Sequence, residues 1–522
     1  MNRGGRPGAG RGPAWLLLAD ALLVLLVLSC VAAPLLLGRV PQVVLHGGHL
    51  SVGLTPRSLL VLCVAAGVRL CAGGSAGAPA TFRWRLGNGV TALATGAVCL
   101  LTYLNAAQPR AWPSGDTIPS KLLPISLIEE NDLDLDEFVE GVPFARRYGF
   151  HRSDGHFVSA YPVATALSAL PIYALGALAF PDAFETWRLS YATRGGDDLP
   201  NVATLMEQWS SGLMAAACVV AFWWLCFNGG RDRARATGLA LAWGLGTSLM
   251  STASQALWQH GPACLGLAVC LLALQRSEGN GSARALAGAG LAAGWAFACR
   301  PTFFVIAAVF ALWTVLRHGR KAGWFAVPCA AVAGAALFWN YRSFQSVAGG
   351  YTANLGIFAP FSAGALVSLL FSPSRGLFVF SPFLLAGFLP GLRDAIRKPA
   401  SLSAFCWHGA AATAVLFACW RTWAGGATFG PRYLCEAALL LAAAIGLAPC
   451  RSRLRRCLMV WSVLFSCYVH IVGARHGDYG WTEQVFRGDD FPTMWNACDS
   501  QIAWTVMGGR PCRGRIEHPQ IR

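Results

Sequence analysis

Long uninterrupted apolar runs are the feature that most constrains how this chain can fold. Residues 15–37, 206–227 and 323–338 approach or reach the length that a helix needs to cross the hydrocarbon core of a bilayer. The runs are continuous rather than alternating, which favours membrane-spanning helices over a barrel. Only 13% of the residues are charged, about half of what soluble domains carry. The sequence therefore predicts an all-α polytopic membrane protein.

Arginines in the short polar segments predict the topology. Arg3, Arg6 and Arg11 place the amino terminus in the cytoplasm. The later basic clusters, such as 317–321 and 451–456, also fall inside if the apolar segment 157–180 lies along the outer surface instead of crossing. This gives about 13 spanning helices and an external tail from Arg475, in a plasma membrane (the inner membrane of a bacterium). The net charge of +16 is explained by these loops and by anionic lipid, and no nucleic-acid binding is expected.

Polar segments divide the chain into four predicted parts. Residues 1–105 hold amino-terminal spanning helices, and 106–205 form a large external loop with juxtamembrane helices, a catalytic platform. Residues 206–474 form the transmembrane core, and 475–522 form an external tail. Most cysteines sit in apolar runs, where they act as small hydrophobes, whereas Cys498 and Cys512 in the tail are candidates for pairing.

Several polar side chains collect on the predicted outer side. Asp116 opens the large external loop, and Arg300 and Arg432 each adjoin a proline between two apolar runs. An arginine near the membrane needs an anionic partner, and a phosphate matches its planar fork of donors. Arg375, in a serine-rich turn, and His260, in a polar interruption of an apolar stretch, are further candidates for binding phosphate.

Three motifs together resemble the integral-membrane glycosyltransferases of the GT-C class. The motifs are Asp154-Gly155-His156-Phe157-Val158-Ser159-Ala160-Tyr161-Pro162, the run from Gly294 that ends in Arg300-Pro301, and Trp423-Ala424-Gly425-Gly426-Ala427-Thr428-Phe429-Gly430-Pro431-Arg432-Tyr433-Leu434. The nearest relatives would be bacterial members similar to protein O-mannosyltransferases and lipid A aminoarabinose transferases. The resemblance implies that a carboxylate in the first large external loop is the base. It also implies that the donor is a sugar on a polyprenyl phosphate or pyrophosphate.

The predicted function is therefore transfer of a sugar from a polyprenyl-phosphate carrier to an acceptor at the outer face of the membrane. The acceptor is a lipid, a polysaccharide or a protein. Asp116 is the predicted base, and Arg300, Arg432 and Arg375 are predicted to hold the carrier phosphate. His260 and Tyr161 are predicted to contact the substrates.

Each candidate also has a structural alternative. Asp116 in Ser-Gly-Asp suits a turn, Tyr161 suits an interfacial anchor, and His260 suits a helix end. No cofactor is expected, but a divalent cation is possible in an acidic cluster that otherwise reads as a solvated face. The cluster comprises Glu129, Glu130, Asp132, Asp134, Asp136 and Glu137.

Two rival functions remain open at the level of sequence. A transporter or flippase of lipid-linked sugars also needs external arginines and many helices, although it commonly shows repeated halves, and no convincing internal repeat is visible here. A non-catalytic membrane partner in envelope assembly is the other alternative.

Overall fold

The computed structural model describes residues 42–45, 48–51, 88–107, 115–139, 149–179, 201–279, 281–350, 357–447, 453–476, 480–485 and 491–509. The predicted span at 15–37, the basic amino terminus and Cys512 lie outside these ranges. The described part is mostly helical, as the apolar runs predict. Its helices in chain order are α1 (Asn88–Ala106), α2 (Ile118–Glu129), α3 (Asp136–Val139), α4 (Val163–Ala179), α5 (Asn201–Asn228), α6 (Arg233–Leu245), α7 (His260–Ser277), α8 (Ala283–Cys299), α9 (Phe304–His318), α10 (Gly323–Phe344), α11 (Ala363–Phe371), α12 (Leu377–Phe380), α13 (Leu385–Arg397), α14 (Leu402–Ala418), α15 (Cys435–Leu447), α16 (Arg453–His476), α17 (Gly480–Gln484), α18 (Phe491–Trp495) and α19 (Gln501–Val506).

Within the described ranges, four helices are long and apolar enough to cross a membrane. They are Asn88–Ala106, Ala203–Asn228, Pro301–Phe344 and Cys457–His476, and a fifth span is possible if Pro382–Arg397 and Leu402–Ala418, bent by 114°, act together. This is the composition of a membrane protein. The predicted total of about 13 spans stays a prediction.

Glycines set how closely the helices of the core approach. A Cβ added at Gly290 of α8 would lie 2.1 Å from the carbonyl oxygen of Phe325, and one at Gly294 would lie 2.8 Å from that of Cys329. Both partners belong to α10, so two small residues one turn apart allow the backbones of α8 and α10 to touch. Such contacts are the usual means of association for helices in lipid, where apolar burial between helices provides little driving force.

Two β-hairpins make the all-α prediction wrong in detail. Strands β1 (Gln42–Leu45) and β2 (Gly48–Ser51) pair antiparallel, as do β3 (Phe150–Ser153) and β4 (His156–Ser159). The second hairpin turns at Asp154 and Gly155, whose φ angles are +51° and +96°. Aspartate followed by glycine is a strong signal for a hairpin turn, and this signal was available in the sequence.

The apolar segment 157–180 begins as a strand and continues as α4 only from Val163, directly after Pro162. Its 17 helical residues span about 26 Å, slightly short of the hydrocarbon core. The helix packs against α2, α5 and α8. Its predicted placement along the outer surface remains a prediction.

Candidate functional site

Three of the six sequence-predicted site residues converge on one cluster. The hydroxyl of Tyr161 donates to Oδ1 of Asp116 at 2.8 Å, and a terminal nitrogen of Arg432 donates to Oδ2 of the same carboxylate at 3.1 Å. The Asp116 side chain is 25% exposed and that of Arg432 is 12% exposed. A carboxylate, a phenol and a guanidinium therefore meet in a site that is still partly open.

Each member of this cluster sits at an irregular point next to a regular element. Asp116 lies in a 3₁₀ turn, Gly115–Thr117, that leads directly into α2. Tyr161 follows β4, where Ser159 holds its backbone by accepting from its amide and donating to its carbonyl. Arg432 opens a second 3₁₀ turn, Arg432–Leu434, before α15. The three side chains can therefore meet at the ends of helices and a strand, while the faces of the helices pack the core.

A glycine-rich loop wraps the side chain of Arg432. Gly425, Gly426 and Gly430 have φ angles of +85°, +64° and +75°, which side chains other than glycine rarely adopt. A Cβ at Gly425 would lie 3.4 Å from Cγ of Arg432, and one at Gly426 would lie 3.7 Å from its terminal nitrogen. The motif that carries the family resemblance thus forms the wall around this arginine.

Aromatic rings separate the two arginines that the sequence assigned to one phosphate. The Arg432 guanidinium carbon lies 4.8 Å from the ring centre of Trp258 and 5.2 Å from that of Tyr433. Tyr433 stacks on Phe417 at 4.5 Å, and Arg300 lies 5.2 Å from the ring centre of Phe417. Contacts thus run from Arg432 through Tyr433 and Phe417 to Arg300. The two guanidinium groups therefore face different surroundings, although both are held by cation–π contacts.

Arg300 is neutralised by a carboxylate that the sequence analysis missed. A terminal nitrogen of Arg300 bonds to Oε2 of Glu436, and Nδ1 of His260 lies 3.5 Å from Oε1 of the same group. The Arg300 and Glu436 side chains are only 6% and 1% exposed. His260 begins α7, as its structural alternative predicted, and it also faces this ion pair. Glu436 stands four residues after Arg432, so the same stretch of chain supplies both groups.

Arg375 bonds to the glycine-rich loop. Its guanidinium donates to the backbone carbonyls of Thr428, Gly430 and Gly426, and to Oε1 of Gln501 at 2.8 Å. The side chain of Arg375 is fully buried. Its predicted contact with a carrier phosphate is untested, and the contacts present show it fixing the shape of the glycine-rich loop.

A second buried ion pair lies behind Asp116. Nζ of Lys121, on α2, lies 2.8 Å from Oε2 of Glu207 on α5, with side-chain exposures of 2% and 4%. Oε1 of Glu207 accepts from the backbone amide of Leu257 at 3.1 Å. One carboxylate thus joins α2, α5 and the segment before α7.

Part of the acidic cluster packs against the second hairpin. Nδ1 of His156 lies 2.8 Å from Oδ2 of Asp136 and 3.4 Å from Oδ2 of Asp134. The hydrogen bond and ion pair with Asp136 raise the pKa of His156, and burial raises the pKa of Glu137 to about 7. Ligand atoms of Asp134, Asp136 and His156 lie within 4.8 Å of one another and could hold a metal ion, although the contacts present already pair the imidazole with both carboxylates.

The missed residues carried a readable signal. Glu207 and Glu436 are isolated carboxylates near the starts of apolar helices, and ionisable groups in such segments are usually functional or paired. What the sequence could not supply was the partner, since 136 residues separate Arg300 from Glu436.

Comparison with known proteins finds no family model, no curated protein and no solved structure that matches this chain.

Proposed function

We propose that this protein is a membrane glycosyltransferase that moves a sugar from a polyprenyl-phosphate carrier to an acceptor at the outer face of the membrane. The observation that supports the proposal best is the contact between Asp116 and Arg432, across 316 positions of sequence. It brings a candidate base beside a cation suited to phosphate, in a partly open site.

In the proposed reaction, Asp116 accepts the proton of the acceptor's hydroxyl or amine. The acceptor oxygen or nitrogen forms a bond to the anomeric carbon of the sugar, and the bond from that carbon to the carrier phosphate breaks. The electron pair leaves with the phosphate, whose developing charge Arg432 stabilises. Tyr161 orients the carboxylate. The carrier phosphate competes with Asp116 for the guanidinium, which frees carboxylate oxygen for the acceptor.

The proposal assigns the other arginines different roles from Arg432. Arg300 is paired with Glu436, which neutralises its charge, so we assign it to holding α15 and the ring of Phe417 rather than to binding the phosphate. Arg375 maintains the glycine-rich loop. The lipid tail would lie in a groove between the helices of an approximately 13-span bundle, and the acceptor would be a lipid, a polysaccharide or a protein. No step requires a metal ion.

The test is sugar transfer by the purified full chain in detergent, with polyprenyl-phosphate sugars and candidate acceptors. Asp116→Asn should lower the rate at least about 100-fold, the lower range for loss of a general base, while the protein stays folded. Asp154→Asn is the matched control, because Asp154 is an exposed turn residue at φ +51°, where asparagine is well tolerated. Full activity of the Asp116→Asn protein would sink the assignment of the base.

A transporter or flippase of lipid-linked sugars is the second candidate. The pairs Lys121–Glu207 and Arg300–Glu436 place charges among apolar helices, and such charges also mark substrate pathways in transporters. Protein reconstituted in liposomes separates the two functions. Movement of lipid-linked sugar across the bilayer without transfer to an acceptor favours the transporter.

A further inference from the structure

The Lys121–Glu207 pair closes a ring of contacts around the proposed site. Asp116 lies five residues before Lys121, in the turn that leads into α2, and Lys121 bonds to Glu207. Glu207 accepts from the amide of Leu257, and the next residue, Trp258, lies against the guanidinium of Arg432. Arg432 completes the ring by bonding to Asp116.

The Lys121–Glu207 ion pair is almost completely buried. Ile118, Leu122 and Leu257 belong to one buried apolar cluster around the pair, so each charge depends on the other for compensation. Removing one member of a buried pair is strongly destabilising, whereas replacing both by uncharged groups can be nearly neutral. Stability alone therefore does not require a charged pair at these two positions.

We propose that Glu207 and Lys121 are positioning residues that set Asp116 against Arg432. Oε2 of Glu207 fixes α2 and thereby Asp116, while Oε1 fixes Leu257 and thereby the indole of Trp258 on Arg432. One carboxylate controls both the base and the phosphate-binding cation. The catalytic consequence rests on the proposed function, but the positioning itself does not.

Two double variants divide the functions of the two carboxylate oxygens. Lys121→Met with Glu207→Gln removes the ion pair but keeps an oxygen for the Leu257 amide. Lys121→Met with Glu207→Met removes both contacts. Neither leaves an unpaired buried charge, so both should fold. Leu205→Ala is the control, because Leu205 lies on α5 two residues before Glu207 and is exposed.

Hydrogen exchange of the full chain, measured by mass spectrometry in detergent, reads the positioning without any substrate. The glutamine variant (Lys121→Met with Glu207→Gln) should exchange at least about 10-fold faster in residues 115–129 only. The dimethionine variant (Lys121→Met with Glu207→Met) should exchange faster both in residues 115–129 and in residues 255–260, including the Leu257 amide. The control should match the native chain. Native protection of 115–129 in both variants, or of Leu257 in the dimethionine variant, overturns the proposal.

Kinetics then link positioning to chemistry. With a polyprenyl-phosphate sugar as the probe, kcat should fall about 10- to 100-fold in the variant with methionine at both positions, which is the cost of misplacing a catalytic group by about 1 Å, while KM changes little. Its thermal midpoint should fall only by the loss of the hydrogen bond to the Leu257 amide. Native kcat beside altered exchange overturns the catalytic consequence. If the native chain transfers no sugar, the proposed function fails, and the exchange data still decide whether the pair holds both segments.

Discussion

Arg300 and Arg432 show how the surroundings of a residue decide its role. Both follow the same sequence pattern, an arginine beside a proline between apolar runs. Arg300 forms an ion pair with Glu436 that has almost no contact with solvent, whereas the Arg432–Asp116 pair is partly exposed. Removing a charge from water costs several kcal/mol per ion, so Arg300 depends on its partner far more than Arg432 does.

The first prediction contrasts the two arginines. Arg300→Gln should lower the free energy of unfolding by about 3–5 kcal/mol, because it leaves Glu436 buried without its cation. Arg432→Gln should cost less than Arg300→Gln, because the carboxylate that it leaves behind, Asp116, is partly exposed, but it should greatly reduce sugar transfer. Denaturant unfolding in detergent and the transfer assay measure the two effects.

The control for this contrast is Arg300→Gln combined with Glu436→Gln, which removes both charges. Its stability should return most of the way to that of the native chain. A double variant as unstable as Arg300→Gln alone would show that packing on Phe417, rather than the ion pair, is what Arg300 provides.

Residue types near the site could be predicted from the sequence, but their pairing could not. Charge and proline spacing singled out Asp116, Arg300 and Arg432, and the family resemblance added Tyr161. The sequence grouped Arg300 with Arg432, whereas the aromatic pair Tyr433 and Phe417 lies between them. Contacts across hundreds of residues depend on helix packing, which no local pattern encodes.

At the scale of elements, the second hairpin and α3 form a small acidic unit with a defined response to pH. The pKa of His156 is raised by Asp136, and that of Glu137 is raised to about 7 by burial. A raised folded-state pKa means that the folded unit binds protons more tightly than the unfolded chain. For Glu137 the stabilisation is complete below about pH 4.5, its ordinary pKa, and is lost as the pH rises to about 7. For His156 the stabilisation is complete below about pH 6.5, its ordinary pKa. It is lost as the pH rises through the raised pKa of the folded state.

The second prediction follows from this sign. Hydrogen-exchange protection of residues 134–139 and 150–159, corrected for the intrinsic effect of pH, should decrease as the pH rises from 4.5 to 8. Glu137→Gln should remove most of the decrease between pH 4.5 and 7. It should leave the contribution of Asp134, whose pKa burial also raises, and the later part, which belongs to His156. An unchanged pH profile in this variant would contradict the assignment of Glu137.

A clamp between the tail and the core holds the glycine-rich loop. Oε1 of Gln501 accepts from Arg375 and from the amide of Gly430, and its Nε2 donates to the carbonyl of Thr428 at 2.7 Å. The loop itself was visible in the sequence as a run of glycines. Its fixation by α19 was not, because Gln501 lies 71 residues beyond Gly430.

The third prediction concerns this clamp. Gln501→Ala should lower the free energy of unfolding by about 2–3 kcal/mol, since it leaves buried donors without an acceptor. It should also speed hydrogen exchange in residues 425–430. Val506→Ala, an exposed position on α19, is the control and should match the native chain. Native exchange in the loop of the Gln501→Ala protein would contradict the clamp.

At the scale of the whole molecule, composition and apolar length were sufficient to predict a helical membrane protein. They were not sufficient to predict the two hairpins. Each hairpin pairs only eight residues and depends on the chemistry of its turn. The predicted membrane sidedness rests on the distribution of arginine in the loops alone. A direct test of sidedness is therefore the most informative measurement on the intact chain.

The fourth prediction uses a native thiol as the reporter of sidedness. Among the cysteines of the described ranges, Cys498 is exposed and the others are buried or half-buried. If the tail is external, a membrane-impermeant maleimide should label right-side-out membrane vesicles containing the native chain, and Cys498→Ser combined with Cys512→Ser should remove that signal. If Cys498 is paired with Cys512, the same labelling should appear only after reduction, because a disulfide has no thiolate to react. Labelling of Cys498 that requires permeabilised vesicles would place the tail in the cytoplasm. An internal tail would mean that the number of crossings predicted between the cytoplasmic amino terminus and the tail is wrong by an odd number.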